Sequence, residues 1–268
     1  MNGHEPVLVE EVLALLRPRE GGVYVDGTLG CGGHARLVLE RGGRVIGIDW
    51  DARAAEIAAD RLKSFSDNVS IHCASYTGLG EILRKEGVPR VDGILLDLGM
   101  SSLQLDDASR GFSFQNDGPL DMRMGAQIET TAADLINTLD ERELERIFRE
   151  LGGERRARRF ARAIGKLRGN RRIGTTLELV EALHRSPSYV GGRLHPATRV
   201  FQALRIAVNR ELENLKFFLD RFDTYLRAPS EGGDGGRIVV IAFHSLEDRI
   251  VKWDFRGKAL KGGLKVLT

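Results

Sequence analysis

The stretch VYVDGTLGCGGHA, residues 23–35, ends a short apolar run on an acid, Asp26, and follows it with four glycines, Gly27, Gly30, Gly32 and Gly33. Glycines between a strand and a helix permit positive φ and let a ligand lie against bare backbone. The spacing is GxxGxGG, and no Lys-Ser or Lys-Thr follows, which excludes a P-loop. A dinucleotide and S-adenosylmethionine remain. Both need an acid after the next strand to accept hydrogen bonds from ribose hydroxyls, and Asp49, in VIGIDWD, stands 22 residues beyond Gly27. Asp26 separates the two ligands. A carboxylate at the mouth of the loop repels a pyrophosphate and suits a ligand carrying an ammonium and a sulfonium. The competing reading is a tight turn in which Asp26 caps backbone amides.

Three other groups of residues have types that could do chemistry. Residues 154–172, ERRARRFARAIGKLRGNRR, hold nine basic residues and one acid in a chain whose net charge is only +2. Arg155, Arg158, Arg159, Arg162 and Lys166 recur at helical spacing, either along a nucleic-acid backbone or as a solvated face over buried Phe160 and Ile164. FHSLEDR, residues 243–249, has His244 beside Ser245, but there is no GxSxG elbow and adjacent Ser and His are not a triad. Glu247 and Asp248 fit either helix N-terminal capping or a substrate site. Cys31 and Cys73 are too few for a disulfide framework or a zinc site and read as small buried hydrophobes. No metal is indicated.

The elements that must position these residues alternate. VYVDG, RVIGID, VSIHCA and VDGILLD read as strands, separated by the helical stretches GHARLVLERG, DARAAEIAADRLKSF and GLGEILRKEG. Such alternation predicts a parallel α/β sheet with right-handed crossovers. Strand signals vanish from Leu103 to Pro196, where DERELERIFRELGG and TTLELVEALHRS predict helices capped by Asp140 and by Thr175 or Thr176. Phe201, Leu204, Val208, Leu212, Leu215, Leu219, Phe222 and Leu226 form one apolar stripe that predicts a single long helix. RIVVIAFHS returns to a buried strand, LEDRIVKWDF predicts a helix and GLKVLT a last strand. The organisation expected is a Rossmann-like α/β domain of residues 1–102 and 197–268, interrupted by an all-helical insertion, 103–196. The N-terminus lacks a signal-peptide pattern and no apolar stretch reaches a membrane span, so a reducing cytoplasm is expected.

With HEPVLVEEVL, DGTLGCGGHA, GIDWD, DLGMSSLQLDDASRGFSF, PLDMRM, ALRIAVNRELENL and FHSLEDRIVK in order along the chain, the sequence closely resembles the bacterial small-subunit ribosomal RNA cytosine-N4 methyltransferases, the RsmH/MraW family. The resemblance implies a Rossmann-like S-adenosylmethionine-dependent methyltransferase sheet with an inserted helical, RNA-holding domain. It implies methylation of N4 of a cytidine in the decoding region, within the assembled or assembling small subunit. It places cofactor contacts on Gly32, Gly33, His34, Asp49, Tyr76, Asp97 and Gln104, with the Tyr76 ring offering a face to adenine. It also raises RNA contact for the basic run and sets His4 and Glu5 near the site. Members of the family usually continue past LKVLT with a basic tail, so a chain ending at Thr268 is expected to lack part of the RNA affinity.

Asp97 ends the fourth strand, where amino-methyltransferases carry the acid or amide of their proline motif, and is expected to orient the reacting amine. The exocyclic nitrogen attacks the methyl directly, so no cysteine nucleophile is needed. A DNA amino-methyltransferase would carry [DNS]PP[YFW] where this chain has DLGM. A non-catalytic RNA-binding assembly factor would not need Asp49, Asp97 and Gln104 intact.

Overall fold

The computed structural model describes residues 6–184, 195–229 and 234–268; His4 and Glu5 lie outside them. The chain divides into two compact units, Met1–Gly99 with Leu212–Thr268, and Met100–Glu211. Its strands are β1 (Val23–Asp26), β2 (Arg44–Asp49), β3 (Val69–Cys73), β4 (Gly93–Asp97) and β5 (Arg237–Ile241). The helices in chain order are α1 (Val9–Leu16), α2 (Gly33–Leu39), α3 (Ala52–Leu62), α4 (Leu79–Lys85), α5 (Ser102–Asp106), α6 (Ala132–Thr138), α7 (Glu141–Glu150), α8 (Ala157–Arg168), α9 (Thr176–His184), α10 (Pro196–Asn209), α11 (Glu211–Leu219) and α12 (Ser245–Leu260). None is long and apolar enough to cross a membrane.

The first unit is the expected α/β sheet. All its ladders are parallel and the strand order is β3-β2-β1-β4-β5. Alternate residues of each strand feed two cores, as strands covered on both faces must. Val25, Ile46, Ile48, Ile94 and Leu96 pack with Leu79, Ile82, Leu83, Phe218 and Phe222. Tyr24, Val45, Leu95, Val239 and Ile241 pack with Val12, Leu16, Val38 and Leu62. The chain winds outward from β1 to β3, then restarts at β4 on the other side of β1. Ligands of open α/β sheets bind in the crevice at the carboxyl ends where the order reverses, which here falls between β1 and β4. Asp26 and Asp97 end the two strands that flank it.

The second unit is helical, with one core that includes Leu144, Phe148, Phe160, Ile164, Leu179, Val200 and Leu204. Asp140 caps α7 in a reciprocal box with Glu143. At α9 the cap is Thr175, whose Oγ1 accepts from Glu178 N while Glu178 Oε2 accepts from Thr175 N.

Two expectations about the C-terminal third are corrected. The apolar stripe is not one helix, because Arg210 adopts a left-handed conformation (φ 51°) and ends α10 before α11 begins. The two halves bury separately. Val200, Phe201, Leu204 and Val208 join the helical core, whereas Leu215, Phe218 and Leu219 join the sheet. The helical unit therefore runs to Glu211, and the stretch from 197 to its end packs there rather than with the sheet. The buried Asn209 secures this edge, accepting from Met124 N and donating to Met122 O, both at 2.8 Å. GLKVLT forms no strand. It follows a turn at Lys261–Gly263, and Val266 and Leu267 stay exposed.

Candidate functional site

The glycine loop joins β1 to α2 and closes onto its neighbouring strands. Gly27 N donates to Leu95 O and Leu29 N to Ile48 O, both at 2.9 Å. A Cβ at Gly27 would meet Leu96 at 2.5 Å, so that glycine serves the packing of the sheet. Gly30 differs: its φ is +51° and nothing lies within 4 Å of the position a Cβ would take. Left-handed backbone beside open space is the cradle expected of a ligand loop. Gly32, also left-handed, caps α2, and Gly33 and His34 open that helix.

Asp49 ends β2 and is fixed by two backbone donors. Its Oδ2 accepts from Gly30 N at 2.8 Å and its Oδ1 from Asp51 N at 2.9 Å. The acid thus ties the end of β2 to the glycine loop.

Asp26 is placed differently from its sequence reading. It is 4% exposed, beneath the loop and not at its mouth, and its Oδ1 accepts from Thr28 N at 3.3 Å. Burial, reinforced by the charges of Asp97 and Asp49, pushes its carboxyl up to about 7. The turn-capping role is therefore real. Asp49 and Asp97 end the strands on either side of β1.

Asp97 ends β4, with its backbone N–H donated to Thr28 Oγ1 at 2.6 Å. Its Oδ2 lies 3.8 Å from His34 Nε2. Burial lowers the His34 imidazole below its ordinary value, so the ring is neutral near pH 7. Three carboxylates thus end three adjacent strands, β2, β1 and β4, around one loop. That donor set fits a cationic ligand with ribose hydroxyls and does not fit a pyrophosphate.

Tyr76, in the turn after β3, is a core residue. It is 5% exposed, with its ring edge-on to Trp50 and to Phe218. The half-buried aromatic beside the loop is Trp50, which sequence reading passed over although it directly follows Asp49 in GIDWD. Gln104 belongs to the second unit. There it is buried and completes the cap of α5, accepting from Ser101 N at 3.2 Å while Ser101 Oγ accepts from Gln104 N at 3.3 Å.

The basic run separates into two populations. Arg168 donates to Ile136 O and Leu139 O, Arg171 pairs with Glu178 and Glu181, and Arg172 pairs with Asp134. Those three hold the fold. Arg158, Arg159, Arg162 and Lys166 lie along α8, opposite buried Phe160, Ala161, Ile164 and Leu167. Arg155 precedes the helix, so the helical spacing read for it ends at Ala157. Among the described residues Arg155, Arg158, Arg162 and Lys166 make no ion pair.

The cysteines are less buried than expected. Cys31 is intermediate and Cys73 exposed, and burial still pushes both thiols up, away from thiolate. His244 and Glu247 act on α12: His244 Nδ1 accepts from Glu247 N at 3.4 Å, and Glu247 Oε2 accepts from Phe243 N at 3.2 Å.

Residues 1–266 match the MraW methylase family. This chain belongs to that family. It is 51% identical, over 95% of its length and 81% of the relative's, to ribosomal RNA small subunit methyltransferase H of Syntrophotalea carbinolica. The protein of the same name from Geobacter sulfurreducens is 52% identical over 94% of this chain and 81% of its own. Among solved structures, an rRNA methylase from Streptococcus thermophilus aligns over 44% of this chain and 71% of its own, at 16% identity and a TM-score of 0.30. The chain is thus an enzyme of a methylase family, and its crevice, acids and cradle are the parts to which the activity must be fitted.

Proposed function

We propose that this enzyme transfers the methyl group of S-adenosylmethionine to N4 of a cytidine in the decoding region of small-subunit ribosomal RNA, in the cytoplasm. The observation that carries the reading is the placement of Asp97. It ends β4 at the switch point of the sheet, beside the glycine loop and 3.8 Å from a neutral His34. The half-identical relatives named for small-subunit ribosomal RNA support the choice of substrate.

Bound S-adenosylmethionine supplies an electrophilic methyl on a sulfonium. Asp49 receives the ribose hydroxyls, the left-handed turn at Gly30 and the Gly32–His34 helix start give close backbone approach, and Trp50 flanks the adenine side. The cytosine amine is a weak nucleophile because its lone pair is delocalised into the ring. Asp97 accepts one of its N–H groups and holds the nitrogen in line, and a carbonyl of Leu98 or Gly99 accepts the other. The Asp97 carboxyl also favours the positive charge that develops on the nitrogen as the N–C bond forms. A base inside a helix cannot reach such a crevice, so the target is unstacked first. Residues 100–211 carry 19 of the 40 Lys and Arg and 15 of the 38 Asp and Glu, a net +4. That unit, through Arg155, Arg158, Arg159, Arg162 and Lys166, holds the RNA backbone.

Tritiated-methyl transfer to naked ribosomal RNA, small subunits and duplex DNA, followed by nucleoside analysis, tests the reading. N4-methylcytidine in the small-subunit samples is expected. Label confined to DNA, or no label with cofactor bound, overturns it.

A further inference from the structure

Phe243 is 60% exposed. An exposed phenylalanine forgoes the stabilisation that burial of its ring would give, yet this one is held with care. It lies two residues beyond Ile241, which pairs with Asp97 in the β4–β5 ladder. The pairing continues past the strands, with Leu98 N donating to Ile241 O at 3.0 Å. Gly99 lies two residues beyond Asp97, so the two chains leave the sheet side by side. Gly99 has φ +100°, and a Cβ built there would stand 3.4 Å from Phe243 Cδ2. One edge of the ring thus rests over bare backbone, and much of the rest faces solvent.

The backbone that carries the ring is fixed from below. Glu247, 2% exposed, accepts the Phe243 N–H and lies 3.3 Å from His244 Nε2, while the same His244 caps α12. A buried carboxylate is an expensive anchor. Here it sets the start of α12 and the direction in which Phe243 leaves β5.

We infer that Phe243 is the platform on which the extruded target pyrimidine stacks while Asp97 holds its amine. Exposed aromatic faces recognise unstacked bases, and the rigid ring adds little ordering cost on binding. The placement supports the role, because Phe243 leaves β5 beside the end of β4, the strand whose last residue is Asp97. Phe243 does not touch the reacting atoms, so it is a positioning residue. The inference rests on the proposed amine transfer.

The test combines single-turnover transfer over a range of small-subunit concentrations with cofactor calorimetry and a base-extrusion signal. The variants are Phe243→Ala, Phe243→Leu and Phe243→Tyr. The signal is the fluorescence of 2-aminopurine placed next to the target in a short RNA. Removal of base–aromatic stacking by alanine corresponds to a decrease of about 5- to 150-fold in apparent RNA affinity. Phe243→Ala and Phe243→Leu are expected to show that decrease and a weakened 2-aminopurine rise, with cofactor affinity within twofold of the parent. Phe243→Tyr restores both signals. Leucine keeps the apolar bulk without the π face, so full activity and extrusion in Phe243→Leu overturn the inference, as does failure of Phe243→Tyr to rescue while it binds cofactor normally. A parent enzyme that binds cofactor but makes no N4-methylcytidine instead overturns the reaction on which the inference rests.

Discussion

Asp97 and Asp26 end neighbouring strands, yet their surroundings give them opposite tasks. Asp97 is a quarter exposed and faces a neutral His34. Asn at this position keeps the shape and one acceptor oxygen and removes the charge. Single-turnover methyl transfer by Asp97→Asn is expected to fall by roughly 10²-fold or more, with cofactor affinity changed only modestly. Collapsed cofactor affinity with near-normal transfer at saturation would make Asp97 a cofactor ligand. Asp26 is buried and neutralised in part, with its carboxyl at about 7 against the ordinary 3.8. A carboxyl raised on folding contributes stability that is complete below its unfolded value and is lost as pH rises through the folded one. The free protein should therefore lose stability between about pH 4 and pH 8, by an amount on the order of 4 kcal/mol from this group alone. Asp26→Asn removes that slope. Urea unfolding at the two ends of the window checks it, and a variant with the parent's pH dependence places the titration elsewhere. The place of Asp49 at the end of β2 was legible because the apolar run VIGI before it reads as a strand. The depth of Asp26 was not, because burial depends on how the loop folds back onto β2 and β4. Phe243 had no signal in spacing at all, since exposure of an aromatic is settled only once the strand ends are known.

The elements show the same division between local and tertiary causes. Strands β1 to β5 and helices α7, α8, α9 and α12 follow from local pattern, turn residues and caps, and sequence reading finds them. The join between α10 and α11 does not follow, because the 3.6-residue apolar period runs across it without a glycine or proline. What breaks it is the need to serve two cores, which bends the chain at Arg210 (φ 51°). A left-handed conformation costs a non-glycine residue free energy, and glycine adopts it freely. Arg210, exposed and with no ion pair among the described residues, is expected to gain on the order of 0.5–1 kcal/mol of stability as Arg210→Gly. Thermal unfolding measures this, and a destabilised variant would assign the Arg210 side chain an interaction that outweighs the backbone strain. Helix α8 raises a different question, because its pattern was clear and its purpose was not. Arg168, Arg171 and Arg172 serve fold contacts, and among the described residues Arg155, Arg158, Arg162 and Lys166 make no ion pair. Neutralising Arg155, Arg158 and Arg162 should lower the slope of log affinity for RNA against log salt by about 0.7–0.9 for each phosphate no longer engaged. An unchanged slope returns α8 to a solvated face.

Across the whole molecule the charge is unevenly shared. The net +2 is the sum of +4 on residues 100–211 and −2 on the rest, and the negative part includes the three acids at the sheet's carboxyl edge. On the proposed reading, attraction for a polyanion belongs to one unit and the catalytic crevice to the other, whose acids repel phosphate and favour a cation. Such a protein gains RNA affinity from counterion release over many phosphates and gains cofactor affinity from a few short contacts inside a cleft. The two affinities should answer salt very differently. If Arg155, Arg158, Arg162 and Lys166 each meet one phosphate, raising salt from about 50 to about 200 mM weakens RNA binding by roughly 50-fold. Cofactor affinity over the same range should stay within about twofold, because Asp49 acts at hydrogen-bond distance, well inside a Debye length of about 7–14 Å. Filter binding of ribosomal RNA and calorimetry of S-adenosylmethionine at the two concentrations measure both. A cofactor affinity that falls as steeply as RNA binding would mean that long-range charge, and not the fixed acid at the end of β2, recognises the methyl donor. RNA binding indifferent to salt would remove the second unit's charge from substrate recognition and leave stacking and shape to do the work.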